Sequence, residues 1–378
     1  MKRLLVGWEL GAGRGHLEMM RPLIEAAIRS DWKVVAAVRD IKTAASILKA
    51  APLVDTSDAL EVVQAPIFSH IAPPRRVRPV SLVDILAHIG FDDPVLVRPV
   101  IEGWTRLLAE VKPDVILADA APSLVAASIG KAPVIMTGNG WTIPPDGERA
   151  PLFPHLIAGY TQSARAEEEI VATFHACGAS IDRAASVLRG DKTFVFTPAV
   201  LDPYRAIRTE RVWWPPNIAA EAAVIRQTER IALYLPPRHP ALSVTIASLE
   251  NINTDVLAYF GGASPPVPRN LKVSRTPFDL GKLLPYSRLV IHHGGLGIAA
   301  WGVAAGIPQL AIPVDAEKQA IGQAIEDNGL GFIAATPAAL ATGLERMRHL
   351  RLRLDGDCRT TAQDTVRAVL VALNEAAS

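Results

Sequence analysis

Residues 289–308 read LVIHHGGLGIAAWGVAAGIP and contain three structural signals in a row. The apolar residues 289–291 are typical of a short buried strand, and the glycines after His293 indicate a turn. The small residues that follow favour a helix, which Gly306 and Pro308 would end. A strand, a glycine turn and a helix in this order direct backbone N–H groups and the positive end of a helix at one point. We therefore expect an anion such as a phosphate group to bind there, with His293 able to donate a hydrogen bond.

Two simpler interpretations compete with an anion site. A glycine turn between a strand and a helix can serve only to pack the helix closely, and a histidine of a pair can belong to the core. For His292 we favour a side chain that faces the interior of the sheet. A second glycine turn, GAGRGH at 11–16, follows the apolar strand predicted at 4–8 and strengthens the phosphate interpretation. It does not match a dinucleotide fingerprint, because the sixth position is His16 instead of glycine.

Composition is that of an ordinary globular chain with a sizeable core. The 378 residues are 49% hydrophobic and 20% charged, with a net charge of +1, so two domains are expected and no nucleic-acid partner is indicated. Cys177 and Cys358 lie far apart without metal-ligand spacing, which favours a reducing compartment. The first eight residues resemble a secretory signal, but Glu9 interrupts the apolar run too early. No stretch is apolar enough for a membrane span, so we expect a cytoplasmic protein.

Strands and helices alternate through both halves of the chain. In the first half we predict strands at 4–8, 34–38, 115–119 and 134–137, a last strand at 193–197, and helices at 17–29 and 94–111. In the second half we predict strands at 231–235, 256–260, 289–291 and 310–312. This alternation predicts α/β architecture with two doubly wound, Rossmann-like domains that face a cleft. We place the first domain at 1–205, a linker at 206–228, the second domain at 229–360 and a C-terminal helix at 361–378.

His16 and Asp119 each follow a predicted parallel strand of the first half. Ligands of open parallel sheets bind outside the carboxyl ends of the strands, so these side chains are candidates for one site. An imidazole can remove a proton from a hydroxyl while a carboxylate orients the ring and stabilises its charged form. His16 could instead lie at a helix start without a catalytic role, and Asp119 could cap the segment that follows it.

These motifs together resemble the UDP-glycosyltransferase family. The resemblance rests on Gly15-His16, on Asp119 in ADAAP, and on HHGGLG at 292–297 followed by GIPQL at 306–310 and Pro313. It implies the GT-B architecture. It also implies that a sugar is transferred with inversion from a nucleotide-diphosphate donor, for which a UDP-sugar is expected, to a hydroxyl of a small or lipid-like acceptor. It implies no metal ion and no cofactor besides the sugar nucleotide.

The resemblance implies that the domain at 1–205 binds the acceptor and that the domain at 229–360 binds the nucleotide sugar. It also assigns roles to individual residues. His16 would be the general base and Asp119 its partner, while His293 and the backbone of Gly294, Gly295 and Gly297 would contact the donor diphosphate. Further candidates for the donor site come from the same family pattern, and they are Arg238, Pro277, Phe278, Glu317 and Lys318. For the acceptor site the candidate is Trp141, because it lies in the irregular stretch 138–154 where acceptor loops would lie, although a core or lid position is the favoured alternative.

Several positions depart from the family pattern on the donor side. Ile298 stands where a Ser or Thr hydroxyl usually reaches a phosphate, and Trp301 stands where an acidic residue often holds the ribose. Lys318 replaces a neutral amide by a charge. We therefore expect an active transferase with an altered donor site. A nucleotide-sugar epimerase of the same architecture and a non-catalytic nucleotide-sugar binder remain as alternatives, and the sequence does not indicate the oligomeric state.

Overall fold

The chain forms two compact units, which we describe separately in a computed structural model. The first unit comprises residues 1–196, 206–217 and 363–378, and the second comprises residues 197–205 and 218–362. The residues that the structure describes are 1–48, 58–68, 79–154, 164–218, 229–250, 252, 254–262, 265–347, 350, 352 and 360–378.

The first unit is built on a parallel sheet in the order β3-β2-β1-β4-β5-β6-β7 among its described strands. These strands are β1 (Lys2–Trp8), β2 (Trp32–Val38), β3 (Leu60–Gln64), β4 (Val115–Asp119), β5 (Val134–Gly138), β6 (Lys192–Phe196) and β7 (Val212–Trp213). Every residue of β4 and of β5 is buried, as expected for central strands covered on both faces.

Helices connect these strands. They are α1 (Gly15–Arg29), α2 (Ile41–Leu48), α3 (Leu82–Ile89), α4 (Pro94–Val111), α5 (Pro122–Ser128) and α6 (Ala164–Ala176). Helix α4 has the bounds that the sequence predicts, because Asp93 caps its N-terminus and Pro94 supplies the fixed φ of a first helical residue. It ends at Val111, and the following residue Lys112 caps it in a left-handed conformation.

The second unit repeats the same plan. Its parallel sheet has the order β10-β9-β8-β11-β12-β13 among the described residues. The strands are β8 (Ile231–Tyr234), β9 (Val256–Tyr259), β10 (Leu271–Val273), β11 (Leu289–His292), β12 (Gln309–Ala311) and β13 (Gly331–Ile333). The helices are α7 (Leu242–Glu250), α8 (Leu280–Leu283), α9 (Leu296–Ala305), α10 (Ala316–Asp327) and α11 (Pro337–Met347).

Two doubly wound parallel sheets therefore confirm the predicted fold class. Helix α9 ends at Ala305 and is capped by the left-handed Gly306, the glycine that the sequence predicts to stop it. Strands β10 and β13 were not predicted, because three residues between turns carry too little periodicity. The expectation that 193–197 is the last strand of the first half was wrong. Strand β7 pairs with β6 beyond it, and this pairing uses Trp213 of the predicted linker.

Unit boundaries also differ from the sequence-based ones at the connection. Residues 197–205, placed in the first domain by sequence, group with the second unit, where the carbonyl of Val200 accepts a hydrogen bond from Asn328. Residues 206–217 group with the first unit. Residues 219–228 of the predicted linker lie outside the described residues, as does Cys358.

The C-terminal helix α12 (Ala362–Ala376) returns to the first unit. Its buried residues Val369, Ala372 and Leu373 join the core that β1, β2 and α1 form on one face of the sheet. No helix in the described part of the chain has the length and apolar character to span a bilayer. A cytoplasmic location stays a prediction.

Candidate functional site

Both sheets have a switch point, where the strand order reverses direction. In the first unit β1 lies between β2 and β4, and in the second unit β8 lies between β9 and β11. Connections from β1 and from β4 run to opposite sides of the sheet there, which leaves a crevice at the carboxyl ends of the strands. The predicted histidines follow β1 and β11, so each lies at the carboxyl ends of the strands beside one switch point. We call these two places the first and the second switch-point edge.

At the first edge, His16 and Asp119 meet. Asp119 is the last residue of β4 and pairs in register with Trp8 of β1, while His16 is the second residue of α1. The Nδ1 atom of His16 lies 3.2 Å from both carboxylate oxygens of Asp119. Asp119 is buried and His16 is nearly so, with side-chain exposures of 2% and 13%. Because Nδ1 faces this carboxylate, we assign the ring proton to Nδ1, which leaves Nε2 as the hydrogen-bond acceptor of the ring.

Two further residues hold the His16 ring, and neither was singled out from the sequence. The fully buried indole of Trp8 stacks on the imidazole, with ring centroids 5.4 Å apart. Gly11 has a φ of +90°, and a Cβ at this position would lie 2.3 Å from Nε2 of His16. Only glycine fits both the left-handed conformation and the space beside the imidazole. The motif GAGRGH marks this turn in the sequence, but only the folded structure shows that Gly11 lies against the ring of His16.

At the second edge, His292 faces the interior as expected. It is fully buried, and its Nε2 lies 3.0 Å from the side-chain oxygen of Gln309 on β12. Its Nδ1 accepts a hydrogen bond from the backbone N–H of Gly294 at 3.0 Å. Burial, with the neighbouring His293, lowers the pKa of His292 to about 3, so this side chain is neutral at pH 7. The amide of Gly294 is therefore used inside the turn.

His293 is the partly buried member of the pair. Its Nδ1 atom is buried and has no hydrogen-bond partner among the described residues. Burial, and next the charge of Lys318, lower the pKa of His293 to about 4. A neutral imidazole has one N–H to donate, and a hydrogen bond with the backbone of Tyr234, which raises the pKa, also acts on this ring. An unpaired buried polar atom such as Nδ1 is unfavourable until it gains a partner.

The glycines after His293 have different roles. Gly294 has a φ of +87°, and a Cβ there would lie 2.8 Å from the carbonyl oxygen of Lys318. A Cβ on Gly295 would lie 2.6 Å from Nε2 of His293, whereas one on Gly297 would face open space. Gly295 precedes α9 and supplies no side-chain cap, and the first N–H groups of a helix have no partner within the helix. The turn thus leaves N–H groups at the start of α9 for a ligand.

Glu317 and Lys318 lie in the first turn of α10 and bind each other. The Nζ atom of Lys318 is 2.6 Å from Glu317 and 3.5 Å from Asp315, the N-cap of the helix. Burial alone would lower the pKa of the Lys318 ammonium, but the two carboxylates outweigh it and the pKa is raised. The structure brings Lys318 to the glycine turn, where it contributes a positive charge.

The remaining donor candidates lie around the carboxyl ends of β8 and β9. Phe278 packs near Tyr259, and Tyr259 near Tyr234, which in turn lies 5.9 Å from the ring of His293. Arg238 and Pro277 are exposed on loops that follow β8 and β10. An aromatic cluster with Phe278 at its outer end therefore borders the glycine turn.

Ile298 and Trp301, which depart from the family pattern, pack in the second unit. Ile298 is buried, and Trp301 packs with it in a small apolar cluster beside Val290 of β11. The indole also lies over Gly281 of α8, where a Cβ would approach it to 3.0 Å. Trp141, the acceptor candidate of the first unit, is buried with 5% exposure and stacks on Phe153 at 4.3 Å.

Two comparisons by sequence match parts of the chain. The family model described as erythromycin biosynthesis protein CIII-like, C-terminal domain, matches residues 245–368, which include the histidine-glycine turn. The elloramycin glycosyltransferase ElmGT of Streptomyces olivaceus is 40% identical over 60 residues. That match spans 16% of this chain and 16% of the relative, so it covers far less than the whole of either protein.

Solved structures match over the whole chain. The calicheamicin glycosyltransferase CalG4 has a TM-score of 0.63 at 17% identity, covering 100% of this chain and 96% of its own. The glycosyltransferase VinC, solved in complex with DTDP, has a TM-score of 0.58 at 17% identity and covers 99% of both chains. The chain therefore has the GT-B fold of these structures, and its residues 245–368 match the EryCIII-like C-terminal domain.

Proposed function

We propose that this protein transfers a sugar from a nucleotide diphosphate donor to a hydroxyl of a small or lipid-like acceptor, with inversion at the anomeric carbon. The observation that carries the proposal is the His16–Asp119 pair, with Nδ1 3.2 Å from the carboxylate at the switch point of the first sheet. A histidine oriented by a buried carboxylate is suited to general-base chemistry.

His16 acts on the acceptor in this proposal. Its Nδ1 proton is donated to Asp119, so Nε2 takes the proton of the attacking hydroxyl. The hydroxyl oxygen forms a bond to the anomeric carbon while the bond from that carbon to the diphosphate oxygen breaks. Asp119 then stabilises the imidazolium that results. One displacement of this kind inverts the configuration.

The second unit supports the leaving group. The diphosphate departs with added negative charge, which N–H groups at the start of α9 and a hydrogen bond from His293 would stabilise. The ammonium of Lys318 adds positive charge beside the turn. We propose that these groups suffice without a metal ion, and that Glu317, Arg238, Pro277 and Phe278 contribute to the donor site.

The nucleotide is a pyrimidine nucleoside diphosphate in this proposal. The sequence resemblance implies UDP, and VinC was solved with DTDP, so both uridine and thymidine diphosphates are the compounds to test. For the acceptor, the spinosyn rhamnosyltransferase SpnG, which has a TM-score of 0.59 to this chain at 16% identity, was solved in complex with a spinosyn aglycone, so an aglycone is the acceptor class to test. Trp141 stays a prediction for the acceptor side. An epimerase or a pure binder is not favoured, because the named relatives are glycosyltransferases.

The test separates binding from transfer. Calorimetry with UDP and with thymidine diphosphate measures donor binding, and mass spectrometry of reactions with UDP-glucose or TDP-glucose and a set of macrolide and polyketide aglycones measures transfer. We expect His16→Ala to abolish transfer and to leave nucleotide binding intact. We expect His293→Ala to weaken nucleotide binding.

His175→Ala is the matched control, since His175 lies in the last turn of α6 and its Nε2 contacts the backbone carbonyl of Ile181 at 2.8 Å. It should leave both measurements unchanged. Transfer that persists in His16→Ala would contradict the assigned base. Failure of both diphosphates to bind the wild-type protein would contradict the donor assignment.

A further inference from the structure

Glu9 is a buried carboxylate that the proposed reaction does not use. It follows the last residue of β1, is fully buried, and accepts two hydrogen bonds from Ser123. The Oγ–H of Ser123 donates to Oε1 at 2.6 Å, and the backbone N–H of Ser123 donates to Oε2 at 2.9 Å. Burying a carboxylate is costly, so its presence calls for a physical reason.

The two hydrogen bonds from Ser123 hold the segment that follows Asp119. Ala120, the next residue, has a φ of +46°, a left-handed conformation that is unfavourable for alanine. Its carbonyl accepts a hydrogen bond from the N–H of Leu10 at 2.8 Å. Residues 9 and 10 therefore hold residues 120 and 123, immediately after the carboxylate that contacts His16.

Trp8, the residue before Glu9, contacts the imidazole of His16. Trp8 stacks on His16, and the indole N–H of Trp8 donates to the carbonyl of Leu10 at 2.6 Å. The carbonyl of Glu9 accepts a hydrogen bond from Arg39 at 2.9 Å. Residues 8–10 thus fix the ring from one side and the Asp119 segment from the other.

We propose that Glu9 is a positioning residue, whose hydrogen bonds to Ser123 keep the strained turn after β4 in the conformation that places Asp119 against Nδ1 of His16. This inference rests on the proposed function for its effect on turnover. Burial raises the pKa of Glu9 to about 7, against the bonds from Ser123 and the charge of Arg39, which agrees with an enclosed site.

Three variants separate positioning from folding. Glu9→Gln keeps both bonds, because its oxygen accepts from the N–H of Ser123 while its amide donates to the hydroxyl, which can turn to accept. Glu9→Leu is similar in volume and removes both bonds. Ser123→Ala removes only the hydroxyl bond and is the milder variant if Glu9→Leu does not fold.

The first measurement is independent of activity. A hydrogen bond between His16 and Asp119 should give a downfield Nδ1–H proton signal in NMR, assigned by its loss in Asp119→Asn. We expect the signal in the wild type and in Glu9→Gln, and its loss or broadening in Glu9→Leu or, if that variant does not fold, in Ser123→Ala. The second measurement is the kinetic constants, with kcat lowered about a hundredfold in Glu9→Leu at nearly unchanged KM and restored in Glu9→Gln.

The matched control is Asp191→Leu. Asp191 also bonds a backbone N–H, that of Val134, but at the amino end of β5, away from the carboxyl ends that carry the His16–Asp119 pair. This variant should change the melting temperature without changing the His16 signal or kcat. A folded Glu9→Leu that keeps the signal and kcat would overturn the proposal. If the wild type shows no transfer at all, the proposed function fails while the NMR comparison still decides the role of Glu9.

Discussion

The two switch-point edges use the same backbone plan and differ in what surrounds the histidine. Each has a parallel strand, a glycine turn and a helix, with a histidine beside the turn. At the first edge His16 has the carboxylate of Asp119 3.2 Å away. At the second edge His293 has an unpartnered nitrogen, a neutral buried neighbour in His292, and the ammonium of Lys318 nearby.

This difference separates two kinds of chemistry. A carboxylate stabilises the protonated ring and suits a base that gains a proton. Burial and a nearby cation favour the neutral ring, which suits a hydrogen-bond donor to an anion. The roles proposed for the two histidines therefore rest on their partners, and each of the following changes tests one of those partners.

The largest effect is expected from Asp119→Asn. The amide cannot stabilise the imidazolium and allows the other ring tautomer, so kcat should fall by about 10²- to 10⁴-fold. Nucleotide diphosphate binding, measured by calorimetry, should not change. A variant with wild-type kcat would show that the two edges do not differ in the way their partners suggest.

Acid should destabilise the second edge. Because His292 and His293 have folded pKa values of about 3 and 4 against 6.5 when unfolded, the unfolded chain binds more protons below pH 6.5. Stability is therefore fully present above that pH and falls as the pH is lowered, by roughly 4 kcal/mol at pH 5 for the pair. Hydrogen exchange of β11 peptides at pH 7.5 and 5 measures this loss of stability, with β5 peptides of the first unit as the control. An equal loss of protection in the β11 and β5 peptides would refute the assignment of the acid sensitivity to His292 and His293.

The first edge should respond in the opposite direction through Glu9. Its pKa is raised from 4.5 to about 7, so the unfolded chain loses this proton first and stability falls as the pH rises between those values. The loss is roughly 3 kcal/mol above pH 7, and Glu9→Gln removes it. Hydrogen exchange of β1 peptides should therefore show that Glu9→Gln is stabilised relative to the wild type by more at pH 8 than at pH 5. Equal stabilisation at both pH values would argue against a proton held on the buried Glu9.

Gly294→Ala should weaken the second edge alone. The left-handed φ of +87° and a Cβ 2.8 Å from the Lys318 carbonyl oxygen together should cost about 1–3 kcal/mol of stability and weaken nucleotide binding. Gly329→Ala is the control, because Gly329 has a φ of +64° with open space around its Cβ. Equal losses in the two variants, from thermal unfolding, would show that the contact with Lys318 is unimportant.

The smallest effect is expected from Lys318→Gln. Removing the cation should raise the pKa of His293, but the value should stay below 6.5, because burial is the larger cause of its depression. An NMR titration of the His293 ring measures the change. Lys282→Gln, which breaks an exposed ion pair with Asp279 in the same unit, should leave the titration unchanged.

The sequence by itself determined the strand-turn-helix units and the identity of the candidate residues. Apolar runs bounded by glycine and proline have a period and length that local physics fixes, which is why 94–111 and 115–119 were predicted with the bounds observed. The HHGGLG turn and Gly15-His16 were recognisable because each motif is contiguous in the chain.

Only the tertiary structure decided which distant groups meet. The contact of His16 with Asp119 spans 103 positions, and it exists because β1 and β4 pair at the switch point. The same pairing gives Glu9, which in the sequence only interrupts an apolar run, its bonds to Ser123. Short strands such as β7, whose two residues carry no periodicity of their own, likewise form because a neighbouring strand supplies the hydrogen bonds. Contacts between distant parts of the chain depend on strand order, and no local pattern encodes that order.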